Sequence, residues 1–256
     1  MSPSRKPQTN SVHPFQRLQV ELAGLIAATP PGNRLPAEPD LARSLGVSRA
    51  TLREAMRSFE GQGLIRRRQG VGTFVVGHAH VIDTGLEVLE SIETLAHKSG
   101  LTVSMGDLEI KQIQADAAQA AGLQVEPDSC VVKVSRVILA DGRPVAYLID
   151  MLPLDILSPE ELQNGFTGSV LDFLLRRGNP VLTHSVAEIR AVAAGGEVPR
   201  ALEIQRGDVL LQFVAQLYTA ENRVVDYSFS YFLPGYFNFR VLRKVGEPVF
   251  GNKVEG

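Results

Sequence analysis

Cysteine is almost missing from this chain: Cys130 is the only one in 256 residues. A single thiol excludes an internal disulfide and any cysteine-cluster metal site. Long apolar runs are missing too. No stretch approaches the roughly 18 consecutive apolar residues of a membrane-spanning helix, and the polar stretch Met1 to Asn10 lacks the apolar core of a signal peptide. The short motifs of common catalytic machinery are also absent: no G-x-S-x-G elbow, no H-E-x-x-H, no Walker motif and no paired Cys and His. His97 and His184 are isolated, and His78 and His80 have no third ligand at metal-site spacing. These absences point to a cytoplasmic protein that is not an enzyme and uses no metal or cofactor.

What is present is unevenly distributed. The net charge is −2, but residues 1–76 hold 11 basic and 5 acidic residues, a net of +6. Residues 77–256 hold 15 basic and 23 acidic residues, a net of −8. A basic module joined to an acidic one suits a protein that meets a polyanion at one end only. The length suits two domains.

Within the basic module, Phe15 to Ala28 reads as a helix, with Leu18, Leu22, Leu25 and Ile26 on one face. Thr29-Pro30-Pro31-Gly32-Asn33 ends it. A short helix follows between Leu35 and Leu45, with Leu41 and Leu45 inward, and Gly46 stops it. Ser48 is an N-cap for a third helix, Arg49 to Gly61, with Leu52, Met56 and Phe59 as its buried stripe. Helix, glycine turn and helix make a helix-turn-helix. The exposed start of the last helix carries Arg49, Thr51 and Arg53, with Arg57 one turn on. Arginine forks at the N-terminal end of such a helix suit guanine edges and phosphates in a major groove. A merely solvated helix face is the competing reading. Two strand-like runs, Leu64 to Gln69 and Thr73 to Val76, flank Gly70-Val71-Gly72. With Arg66, Arg67 and Arg68 this reads as a wing whose glycine tip lets backbone amides approach phosphate. As a nucleotide loop it fails, because it does not open a helix.

Residues 34–76, including LPAE, LGVSR, T-L-R-E-A and RRRQGVGTFV, resemble the DNA-binding domain of the GntR family of bacterial regulators. The resemblance implies a homodimer on palindromic operator DNA, acting as a repressor. It implies DNA contacts from Arg34, Ser48, Arg49, Thr51, Arg53, Arg68, Gln69 and Gly70. One departure stands out: the family's DNA-contacting Arg after the Glu of LPxE is Pro39 here. Arg34 or Arg43 is placed to compensate.

The acidic module reads as alternating strands and short helices. Gly77 to Asp83 reads as a linker, and Leu86 to Ser99 as a helix. Leu108 to Ile113 alternates like a strand. Ala115 to Ala121 is helical and closed by Gly122. Cys130 to Ala140 and Val145 to Leu152 form a hairpin across Asp141-Gly142. Ser158-Pro159-Glu160-Glu161 is a capping box, and Ser169 to Arg177 is a helix ended by Gly178. Ser185 to Ala193 is a strand, and Val209 to Thr219 pairs with Val224 to Phe232. The two halves repeat weakly at an offset of 79 residues: Leu123–Asp128 precedes the first hairpin as Leu202–Gly207 precedes the second. Two such halves would build one mostly antiparallel sheet with packed helices, and a cleft between them.

The segments SRVILADGRPVAYLIDMLP and NRVVDYSFSYFLPGYFNF resemble the UTRA effector domain of the HutC-type GntR subfamily, over roughly residues 95–243. The resemblance implies a chorismate-lyase-like fold and a small-molecule effector. It assigns effector contacts to Arg136, Ser169, Asp226, Tyr227, Ser228 and Tyr231. The family's second basic residue is Ile138 here, its strand carboxylate falls at Leu148, and its charged turn is Leu233-Pro234-Gly235-Tyr236. One arginine in an apolar pocket implies an anionic metabolite with a single carboxylate and an apolar body.

The expectation is therefore an α+β chain. Residues 1–13 are a flexible start, 14–76 a winged helix-turn-helix, 77–94 a linker, 95–245 the effector domain and 246–256 a tail. Its expected function is DNA binding controlled by an effector. The alternatives are a lyase-related, ligand-turning enzyme and a DNA-binding protein without an effector.

Overall fold

The apolar stripes read from the basic module close into one small core. A computed structural model describes residues 14–61, 63–68, 70–76, 82–163, 166 and 168–243. Helices α1 (Pro14–Ala28), α2 (Glu38–Ser44) and α3 (Arg49–Gly61) pack against the hairpin β1 (Ile65–Arg68) and β2 (Gly72–Val75). Leu18, Leu22, Ile26, Leu41, Leu52, Met56, Phe59, Ile65 and Val75 form their common core, while Leu25 and Leu45 are only partly buried. The middle helix starts at Glu38 rather than Leu35 because the preceding chain is used otherwise. Leu35 N–H donates to Thr73 at 2.8 Å and Gly32 N–H to Val75 at 2.9 Å, laying residues 32–35 along the wing. Gly46, at φ +65°, supplies the left-handed residue that turns the chain into α3.

The acidic module is built on a six-stranded antiparallel sheet. Its strands are β4 (Val103–Gln114), β5 (Cys130–Ala140), β6 (Arg143–Pro153), β7 (Leu182–Ala193), β8 (Val209–Thr219) and β9 (Val224–Phe232), in the order β4-β5-β6-β9-β8-β7. The repeat is explicit in three dimensions. From β4 to β7 and from β5 to β8 both strand ends move by 79 residues. The centre of the sheet, where β6 pairs with β9, is thus a pseudo-twofold. The small helices α5 (Ala117–Leu123) and α8 (Val198–Ala201) correspond, and each is followed by a left-handed residue, Gln124 and Glu203.

The other helices are α4 (Ile92–Lys98), α6 (Pro159–Gln163) and α7 (Val170–Arg177). The capping box at α6 is formed: Ser158 N–H donates to Glu161 Oε2 at 2.8 Å, and Glu161 N–H donates to Ser158 Oγ at 3.4 Å.

Three expectations are corrected. The helix expected over Leu86–Ser99 is α4 alone, because the Ser91 hydroxyl accepts from Thr94 N–H at 3.1 Å and caps it there. The stretch before it is drawn elsewhere. Strand β3 (Ile82–Gly85) pairs in parallel with β10 (Phe237–Arg240), so the expected linker 77–94 contributes a strand. Gly122 does not close α5; the helix runs to Leu123 and Gln124 takes the left-handed position at φ 56°. The role of Gly122 is clearance, since a Cβ there would meet the Tyr227 ring. His78 and His80 lie outside the described residues.

Candidate functional site

The exposed start of α3 presents the residues expected to meet DNA. Ser48 caps the helix, its hydroxyl accepting from Thr51 N–H at 3.1 Å and sharing a 2.8 Å hydrogen bond with the Thr51 hydroxyl. Arg49 and Thr51 are exposed. Arg53 is held: its Nε donates to Glu38 Oε2 at 2.6 Å, and Arg67 Nε lies 3.6 Å from the other Glu38 oxygen. Glu38, the acid of LPAE, therefore ties α2, α3 and the first wing strand into one surface.

The wing is ordered from both sides. Arg68 stands over the Phe74 ring, 5.2 Å from its centroid. Arg34 bridges to Phe74 through its backbone, and its side chain occupies the space a Cβ would need at Gly72. Gly70 is exposed at φ +73°, a turn conformation that glycine adopts without strain. Gln69 lies outside the described residues. Arg34, Arg49, Arg53, Arg68 and Gly70 thus fall on the recognition helix and the wing, the two parts of such a fold that meet DNA.

A cavity of about 500 Å³ opens over the six-stranded sheet. Strand alternation decides what faces it. Register places Arg136 opposite Leu148, Leu148 opposite Ser230, and Ser230 opposite Phe213. The next rung runs Asp150, Ser228 and Ala215. Asp226 and Leu217 form the rung after that. Ser91 and Ser169 reach the cavity from the N-caps of α4 and α7, and Phe232 and Phe239 close its apolar side.

Of the expected effector residues, Arg136, Ser169, Asp226 and Ser228 line this cavity. Tyr227 and Tyr231 do not. As odd-numbered neighbours on β9 they point to the opposite face. There Tyr227 packs on Phe229 with ring centroids 4.8 Å apart, and Tyr231 stacks on Tyr147 at 6.5 Å. Leu148 lines the cavity as expected, but Leu233 does not.

The electrostatics also differ from those expected. Arg136, 5% exposed, donates from its NH1 to Asp150 in a buried ion pair. Asp226, 7% exposed, sits beside them with Oδ1 unpartnered among the described residues. Its burial, and next the charge of Asp150, push its pKa well above the usual carboxylate range, against the pull of Arg136. Glu93 on α4 has both carboxylate oxygens buried without partners among the described residues. Burial raises its pKa too, and Arg136 again opposes the shift. Asp172 on α7 accepts from the Ser91 hydroxyl at 2.7 Å, while its own N–H donates to Ser169 Oγ at 3.0 Å. The expectation of an anionic ligand rested on an available Arg136; that guanidinium is already matched by Asp150 and neighboured by two further acids.

Asp150, Glu93 and Ser91 were not expected at the site. Asp150 escapes a reading from the hairpin turn because the β5–β6 register shifts between Ile138 and Leu139. Without that bulge Arg136 would face Tyr147, and Asp150 would point away.

Among the described residues no cluster of three or more His, Cys, Asp or Glu could hold a metal ion, and no helix is long and apolar enough to cross a membrane. The UTRA domain model matches residues 98–238, and the model of bacterial regulatory proteins of the gntR family matches residues 21–75. The chain is 29% identical over 185 residues to a histidine utilization repressor of Pseudomonas putida, covering 71% of this chain and 72% of the relative. It is 27% identical over 200 residues to the repressor NagR of Bacillus subtilis, covering 78% and 81%. In Escherichia coli it matches the mannosyl-D-glycerate transport/metabolism system repressor MngR, 27% identical and covering 83% and 87%. Among solved structures, PhnF from Mycobacterium smegmatis superposes with a TM-score of 0.60 at 21% identity, over 90% of this chain and all of that one. YydK of Bacillus subtilis gives 0.52 at 18% identity, over 91% and 100%.

Proposed function

The chain belongs to the gntR family of bacterial regulatory proteins and carries a UTRA domain, and from that premise we propose that it is a cytoplasmic, homodimeric repressor released from palindromic operator DNA by a small molecule. Its relatives are transcription regulators rather than enzymes, and the chain is a DNA-binding regulator with an effector-binding domain. The observation that carries the reading is the pairing of two surfaces in one chain. One is an arginine-bearing recognition helix and wing; the other is a cavity of about 500 Å³ over a separate sheet.

The geometry supports a role for each residue in this reading. Arg49 and Thr51, at the exposed start of α3, read base edges in the major groove. Arg53, oriented by Glu38, and the wing residues Arg34, Arg68 and Gly70 take phosphate. In a homodimer two such heads must match half-sites set by the helical repeat of DNA. A ligand that binds one placement of the heads better than another shifts operator affinity, with coupling of about 1–3 kcal/mol typical of such systems.

Selection of binders from a random oligonucleotide pool tests this. The full chain is expected to enrich a twofold-symmetric sequence. Arg49→Ala is expected to weaken binding to it by about 1–3 kcal/mol at matched salt and to relax preference at one position per half-site. Enrichment of no sequence would overturn the operator reading, and unchanged binding by Arg49→Ala would move the interface off α3. Operator binding insensitive to every small molecule would instead favour the effector-independent alternative.

A further inference from the structure

We propose that the cavity over the sheet selects a ligand bearing a protonated nitrogen on an apolar body, with the nitrogen seated against Asp226 and Asp150 rather than an anion seated against Arg136. The inference rests on the reading of this cavity as the effector site and deepens it by naming the ligand chemistry.

The argument begins with charge. The buried end of the cavity has one guanidinium, from Arg136 on β5, and two carboxylates in its wall, Asp150 on β6 and Asp226 on β9. Glu93 on α4 adds a third carboxylate near the same guanidinium. Arg136 is charge-paired through its NH1 on Asp150, while its Nε has no partner among the described residues. An incoming carboxylate or phosphate would have to displace Asp150 from the guanidinium or bring a second negative charge to a base whose charge Asp150 already matches. Both are unfavourable away from water.

The second observation is a vacant acceptor. Asp226 Oδ1 is buried, lacks a donor among the described residues, and belongs to a residue that lines the cavity. A buried acceptor without a donor carries a desolvation penalty that a ligand N–H removes. An ammonium brings both donors and a compensating charge to this oxygen. The same burial favours the proton on Asp226. When the ammonium seats, that proton leaves to solvent and the carboxylate forms the ion pair, so binding tightens as pH rises. The groups facing Asp226 are Asp150, which opposes its ionisation, and Arg136, which favours it.

The rest of the wall sets the body of the ligand. Leu148, Phe213, Phe232 and Phe239 make the other side apolar, and aromatic walls of this kind take a ring or a short hydrocarbon.

Three probes of one shape test the head group: 2-phenylethylamine, 2-phenylethanol and 3-phenylpropanoate, titrated calorimetrically into the full chain near pH 7.5. The amine is expected to bind at least tenfold tighter than the alcohol, and the propanoate weaker than either. Asp226→Asn is expected to erase at least tenfold of the amine's preference over the alcohol. Phe213→Ala, in the apolar wall, is expected to weaken all bound probes together. Tighter binding of the propanoate, still lost in Phe213→Ala, would overturn the cation assignment while leaving the cavity as the effector site. Equal binding of amine and alcohol, or binding of none of the three at millimolar concentration, would also overturn it; the operator selection above then decides the regulator reading on its own.

Discussion

Asp226 is an acid whose surroundings favour its proton. Burial raises its folded-state pKa, Asp150 raises it further, and Arg136 only partly offsets them. The sign follows from linkage: a folded pKa above the unfolded value stabilises the fold at low pH, and that contribution is lost as pH rises through the folded value. Asp226→Asn keeps the shape and cannot ionise. Its melting temperature relative to the natural protein is expected to be higher at about pH 8 than at about pH 5. A difference independent of pH would show that Asp226 titrates no differently on folding. The residues of this site were unevenly legible. Arg136 and Asp226 are legible through the resemblance of their strand segments to the UTRA domain. The partner of Arg136 is not, because Asp150 reaches the same face as Arg136 only through the bulge between Ile138 and Leu139. The resemblance assigns Tyr227 and Tyr231 to the effector site together with Asp226, although strand alternation sends them to the other face.

At the scale of elements, local signals travelled well and distant pairings did not. The bounds Arg49–Gly61, Val209–Thr219 and Val224–Phe232 agree with the sequence reading, because each is set by its own cap, turn and apolar period. The pairing of β3 with β10 joins Ile82 to Phe237, and no local pattern announces such a contact. Helix α5 shows a misread stop. Gly122 looked like its terminator, but that position is needed for the approach of Tyr227, and the left-handed turn falls on the exposed Gln124. A non-glycine residue in that conformation is strained. Gln124→Gly is therefore expected to stabilise the effector domain by about 0.5–1 kcal/mol, less whatever glycine gains in unfolded-chain entropy. Denaturant unfolding checks this as a higher midpoint at constant slope. A lower midpoint would mean that the Gln124 side chain makes a contact worth more than the strain. Glu203, the matching residue 79 positions on, adopts φ 55° and offers the same test in the second half of the repeat.

For the whole molecule, the question is how the cavity reaches the recognition helix. The end of α3 lies directly against the effector domain. A Cβ on Gly61 would meet Asp208, and one on Gly63 would collide with the Tyr236 ring. Asp208, whose side chain accepts from Gln205 N–H at 3.0 Å, is pushed up in pKa by burial and, less strongly, by Glu54 on α3. Tyr236 is 8% exposed, and its carbonyl accepts from Ile82 N–H at 2.9 Å, at the start of the parallel pair. The strand that follows Tyr236 carries Phe239 in the cavity wall. One short segment, Phe232 to Phe239, thus touches the ligand site at both ends and the base of α3 in its middle. If this segment transmits the ligand's preference, Tyr236→Ala is expected to leave affinity for DNA alone and for ligand alone nearly unchanged while collapsing the effect of each on the other. Reciprocity requires both couplings to fall together, from about 5–150-fold towards unity. Removing a buried ring also costs stability, about 3 kcal/mol or more. Tyr236→Phe, which keeps the ring against Gly63, separates the two effects: it is expected to restore coupling. Full coupling in a folded Tyr236→Ala protein would place the route through the β3 side of the parallel pair instead.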